Sequence, residues 1–147
     1  MYSALMQANR QILVVGRDGA LMGLDRTTGA IVWQCELPGT KGMPIDLAIH
    51  ADRVFAATEE KKLFCVDYAT GRGLWSEPFQ GPAAGGLPPA IIVDDDQVMV
   101  GFFGVVTCFS LDGQTRWTQP AGTCTAASAG MGFPGNVRVP HQRISRR

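Results

Sequence analysis

Short apolar runs broken by clusters of Asp, Gly, Thr and Lys follow one another along most of the chain. In "IDLAIHADRVFAATEEKKLFCVDYATGRGLWSEPF", residues 45–79, four such runs stand between turn-forming breaks at Asp52-Arg53, "EEKK" and "ATGR". The runs are rich in Val, Ile, Leu, Phe and Trp, which suit a pleated, half-buried surface. No apolar face recurs at helical spacing, so the pattern predicts short antiparallel strands joined by tight turns.

The same unit recurs. Trp33, Trp75 and Trp117 stand 42 residues apart, and "LVVGRDGALMGLDRTTGAIVW" lies without gaps over "FAATEEKKLFCVDYATGRGLW". The third copy, "VMVGFFGVVTCFSLDGQTRW", aligns after losing one residue in its last turn. By the same offset the first strand of each unit is expected in "YSALMQA", "PIDLAIHA" and "PPAIIVDD". A period of this length with a Gly turn and a terminal Trp points to propeller blades. The predicted fold class is all-β: three four-stranded antiparallel propeller blades, a partial β-propeller, at about 1–38, 43–80 and 88–120 within a region spanning 1–124.

The turn before each Trp has a mechanical logic. Gly29, Gly71 and Gly113 supply the positive φ that a tight hairpin following the strand twist requires. Asp25 and Asp67 stand where a short carboxylate accepts main-chain N–H bonds and locks the turn.

Taken together, Gly16, Asp18, Gly19, Leu21, Leu24, Asp25, Thr28, Gly29 and Trp33 resemble the repeat of the pyrroloquinoline-quinone (PQQ)-like β-propellers, which include quinoprotein alcohol dehydrogenases and an outer-membrane assembly lipoprotein. The second unit keeps Leu63, Asp67, Thr70, Gly71 and Trp75 but has Glu60-Lys61 for Asp-Gly; the third keeps Gly101, Gly113 and Trp117, with Ser110 for Asp. The resemblance implies that each Trp docks against the neighbouring blade. It would also imply, for a quinoprotein, a catalytic Asp, a calcium shell of Glu and Asn, adjacent cysteines and a Trp floor. No two of the four cysteines are adjacent, and Asn occurs only at Asn9 and Asn136. No quinone or other cofactor is expected.

Family propellers close with four to eight blades, and this sequence supplies three. The outer faces of blades one and three are therefore expected to be apolar and in need of cover. The favoured arrangement is a homodimer closing six blades, since two-fold symmetry makes both contacts identical; the C-terminal tail or another protein is the alternative cover. Residues 125–147 read as an extended Gly/Pro-containing basic arm. Met131 and Phe133 would be its hydrophobic anchor and Arg138, Arg143, Arg146 and Arg147 its basic end, together a candidate partner-binding segment. Deleting it after Cys124 is expected to leave the blades folded.

Charge and candidate chemistry narrow the function. The 13 basic and 13 acidic residues cancel, which argues against gripping phosphate backbones or anionic membranes. Neither a specific nucleic acid nor a membrane is an expected partner. The N-terminus lacks the pattern of a secretory signal, so a cytoplasmic location is expected, if need be within a large particle, with Cys35, Cys65, Cys108 and Cys124 as reduced thiols. Neither phosphate loop nor nucleophile elbow is present. His50 and His141 are not near a Cys or carboxylate at ligand spacing, and Asp94–Asp96 read as a solvated turn, so no metal is expected. With no catalytic residue recognised, the expected function is a non-enzymatic structural or protein-interaction propeller, a subunit of a cellular complex or virus particle. The alternative is a small-ligand or carbohydrate-binding module, against which the unlike loops "RDGA", "EEKK" and "FFGV" count. An enzyme with a ring-centre site drawing on Asp46 ranks third.

Overall fold

In the computed structural model, residues 11–40, 42, 45–81, 89–120 and 131–138 are described, and every regular element among them is a strand. Blade one contributes β1 (Ile12–Arg17), β2 (Ala20–Asp25) and β3 (Ile31–Glu36). Blade two is β4 (Ile45–His50), β5 (Arg53–Thr58), β6 (Lys62–Asp67) and β7 (Gly73–Pro78). Blade three is β8 (Ala90–Asp94), β9 (Gln97–Phe102), β10 (Val105–Ser110) and β11 (Thr115–Pro120), and a short pair follows, β12 (Met131–Phe133) and β13 (Asn136–Arg138). Blades two and three are four-stranded meanders and blade one shows three described strands. The first strand expected for blade one, at residues 2–8, lies outside the described residues, as do Cys124, His141, Arg143, Arg146 and Arg147.

All pairs within the blades are antiparallel, and the register repeats. Gly23 faces Trp33, Cys65 faces Trp75 and Cys108 faces Trp117, each beside a one-residue shift in pairing. A bulge there adds local twist and re-aims the outer strand. The main chain reverses at Ala51, with φ of 55°, so Arg53 opens β5 and does not belong to the turn expected at Asp52-Arg53.

The core consists of the layers between blades. Between blades one and two lie Val14, Leu21, Trp33, Val54, Ala56, Phe64, Val66 and Tyr68. Phe55, Ala57, Leu63, Cys65, Ile91, Val98, Val100 and Phe109 fill the next layer, with Trp75 packed against them. Successive residues of β5 thus serve opposite layers, because strand side chains alternate, and both faces of blade two are covered. β1 has apolar residues on both faces but buries only Val14 fully. Among the described residues, blade one packs against one blade and blade two against two.

The segment expected to be an extended arm differs in part. Met131–Phe133 and Asn136–Arg138 pair as a hairpin, with Gly135 at φ of 80° in its turn. Met131 packs with Ile92, Met99 and Cys108 on the outward face of blade three, and the Asn136 side-chain amide donates to the Val93 carbonyl at 2.8 Å. "GNVRV" matches "DRVFA" and "DQVMV" at the starts of β5 and β9. These residues form a two-stranded sheet laid along β8.

Candidate protein-docking interface

Each inter-blade contact is organised around one Trp. Trp33 lies over Gly23 of its own blade and against Gly71 of the next; a Cβ on either glycine would stand 2.4 Å from the indole. Gly71 is held at φ of 75° by the turn, in which its N–H donates to the Asp67 carbonyl at 2.8 Å. The indole N–H of Trp33 donates to the Tyr68 carbonyl at 2.9 Å. Tyr68 reaches back across the same layer, its hydroxyl donating to the Ile12 carbonyl at 2.7 Å and accepting from the Ile12 N–H at 2.9 Å. A buried ring with a satisfied N–H combines large apolar area with a fixed orientation.

The second interface repeats this plan. Trp75 donates to the Leu111 carbonyl at 3.0 Å and lies against Gly113, where a Cβ would stand 2.8 Å away. Phe55 and Phe109 flank it, with ring centroids at 6.1 and 6.4 Å. The polar tie is chemically different here: Arg53 replaces the tyrosine, donating to the Leu111 carbonyl and pairing with Asp112 at 3.1 Å. At the inner ends of the blades, Asp46 accepts the Ile91 N–H at 3.1 Å. Asp46 therefore joins β4 to β8, which gives the carboxylate once weighed for a ring-centre site a structural role.

The same turn geometry recurs in blade one. In blade one, Asp25 accepts N–H bonds from Thr27 and Thr28 at 2.8 and 3.0 Å, and these main-chain donors, Thr28 foremost, hold its carboxyl below the usual carboxylate range. Gly29 donates to the Asp25 carbonyl at 2.8 Å with φ of 76°, matching Gly71. Gly71 and Gly113 are buried, whereas Gly29 is exposed and a Cβ there would have nothing within 4 Å. At the other end, Trp117 is 45% exposed. By strand register, with the β1–β2 turn one residue shorter than the β5–β6 turn, Leu13 facing Leu24 corresponds to Val54 facing Val66, and Leu13 is 58% exposed where Val54 is wholly buried.

Other candidate chemistry is placed as follows. Cys65 and Cys108 are buried and Cys35 is half-buried. Burial pushes the Cys65 thiol up to about 12 and raises the other two. Such thiols are poor nucleophiles at neutral pH. Asp94 ends β8 and Asp95 and Asp96 form the following turn, Asp96 pairing with Arg116 at 3.4 Å. His50 ends β4, half-buried. An open groove of about 320 Å³ between the rims of blades one and two is lined by Glu36, Leu37, Lys62, Phe64 and Leu74, among others. Of the expected arm residues, Met131 is partly buried, Phe133 is 37% exposed, and Arg138 ends β13.

The blade motifs were legible in the 42-residue spacing and the family resemblance implied the Trp contacts; Tyr68, Arg53 and the hairpin were not legible. Tyr68 directly follows the motif Asp, but Leu111 and Arg26 hold that place elsewhere, so no repeat marks it. The hairpin could have been found from "GNVRV".

Comparison with known proteins follows this architecture. The family model described as outer membrane protein assembly factor BamB matches residues 4–136. No curated protein matches the chain by sequence. Among solved structures, BamB from Moraxella catarrhalis is 24% identical, with a TM-score of 0.58 over 80% of this chain and 34% of its own. A europium-containing methanol dehydrogenase is 23% identical, with a TM-score of 0.60 over 74% of this chain and 23% of its own. Apo AztD from Citrobacter koseri is 17% identical, with a TM-score of 0.62 over 78% and 34%. The chain thus spans about a third or less of each, and the likeness at this identity is one of fold.

Proposed function

The chain belongs to the family of the outer membrane protein assembly factor BamB, and from that premise we propose that it is a non-enzymatic protein-interaction propeller, a subunit of a larger assembly. The blades by themselves do not separate the possibilities, since the same fold carries the methanol dehydrogenase and BamB. The observation that supports an interaction role is the outward face of blade one. Leu13, Ile31 and Val32, on its two flanking strands, are each at least half exposed, and Leu13 and Ile31 flank Leu24 in one cross-strand row. Burying such a side chain is worth about 1.5–3 kcal/mol, so the face gains from a protein surface laid on it.

A photo-crosslinking residue at position 13, introduced in the source cells, tests this. A discrete protein adduct is expected. Absence of any adduct, with the variant folded, overturns the reading. The groove between the rims of blades one and two favours a second reading, a small-ligand or carbohydrate-binding module. Saturable change in Trp75 emission on titration with simple sugars, without an adduct from position 13, would favour it.

A further inference from the structure

Three sulfur-bearing side chains pack together between blade three and the hairpin. Ile92, Met99 and Cys108 oppose one another across β8, β9 and β10, and Trp117 stands opposite Cys108 on β11. Residues directly opposed in an antiparallel sheet share a face and lie within side-chain reach. Met131 of the hairpin packs over this row, its sulfur lying on Gly101, where a Cβ would stand 3.1 Å away. Gly101 is two residues beyond Met99 on β9 and therefore on the same face. The equivalent row of blade two, Ala48, Phe55, Cys65 and Trp75, has a phenylalanine for Met99, and its layer holds no methionine among the described residues.

The donor set is chemically specific. Thiolate and thioether sulfurs are soft ligands that suit Cu(I), whereas carboxylates suit Mg, Ca and Mn. The ligand spacing sought in the sequence concerned His and carboxylates and does not bear on a site of sulfur alone. Methionine has three rotatable bonds, so both thioethers can turn onto one point beside Cys108 without a backbone shift. The thiol is held in place: Cys108 donates to the Gln97 side-chain oxygen at 3.4 Å, and Arg116 donates to the same oxygen at 3.2 Å. Burial raises the Cys108 pKa and the Arg116 guanidinium lowers it. The free chain thus carries a protonated thiol, and a bound metal displaces that proton.

We propose that Met99, Cys108 and Met131 form a site for a soft monovalent cation, Cu(I), which ties the β12–β13 hairpin to blade three. The Cys108 sulfur loses its proton to solvent as the copper–sulfur bond forms, and no electron is transferred. This goes beyond the interaction reading and does not depend on it.

The full chain titrated with Cu(I), kept reduced by ascorbate under argon and buffered by bicinchoninate, provides the test. Tryptophan emission should fall saturably, and the fall should be missing in Trp117→Phe, because Trp117 stands opposite Cys108. Loss of an outer partner of a metal ligand costs about 10–100-fold in affinity, so loss of a ligand should cost at least about tenfold. Met99→Leu and Met131→Leu remove one thioether each at nearly constant volume and are expected to show that loss. Met22→Leu makes the same change on β2 and should bind as the unaltered chain does. All three variants keep the four thiols, so binding by cysteine alone would be equal in them. Met131 is only partly buried, which keeps its variant informative if Met99→Leu unfolds. Hydrogen exchange in β12 and β13 should slow on adding Cu(I) to the unaltered chain and not to Met131→Leu. Unchanged emission at excess Cu(I), or equal affinities in the Met131→Leu and Met22→Leu variants, overturns the site. Hairpin exchange that does not slow overturns the tie between hairpin and blade.

Discussion

At the scale of single residues, three chemically identical tryptophans have unequal roles because their surroundings differ. Trp75 contacts two blades and two phenylalanines, so Trp75→Ala is expected to cost about 3–5 kcal/mol, as for other large core truncations. Trp117→Ala should cost less than about 1 kcal/mol, as for an exposed site. Urea denaturation of the two variants checks the pair, and equal losses would contradict the blade assignment. The thiols follow the same rule. Cys65 is held in its neutral form by burial, with its pKa raised to about 12, above the unfolded value of about 8.5. A raised folded pKa means that the stability gained from the neutral thiol is complete below the unfolded value and is lost as pH rises towards the folded one. Urea midpoints should therefore fall between about pH 8.5 and pH 11, and Cys65→Ala should flatten that slope. Alkylation mapped by peptide mass should reach half-buried Cys35 before Cys65.

At the scale of elements, strand count and type follow from local pattern, while coverage does not. The sequences of β1 and β5, "ILVVGR" and "RVFAAT", both carry apolar residues on their two faces. Only β5 has a blade on each side. The terminal hairpin shows the converse, a segment with weak strand pattern held in place by what it covers. Met131 closes over Ile92, Met99 and Cys108, so deletion after Cys124 is expected to expose that face, contrary to the expectation that the arm is dispensable. Hydrogen exchange should then speed up in β8 and β9 while β1 to β3 keep their protection. Unchanged exchange in β8 would show that the hairpin adds nothing to blade three.

At the scale of the whole molecule, the 42-residue period, the Gly turns and the terminal Trp of each unit are local facts, and they determined the repeat and the strand order. A hairpin needs only its own residues to choose its turn and register, which is why "TTG" and "ATG" could be read directly. Which residue completes an interface is a different matter. Tyr68 bonds Ile12 across 56 positions, Arg53 reaches Leu111 across 58, and Asp46 meets Ile91 across 45. These ties depend on how neighbouring sheets are stacked and stand at positions where the repeat changes residue type, so only the tertiary structure decided them.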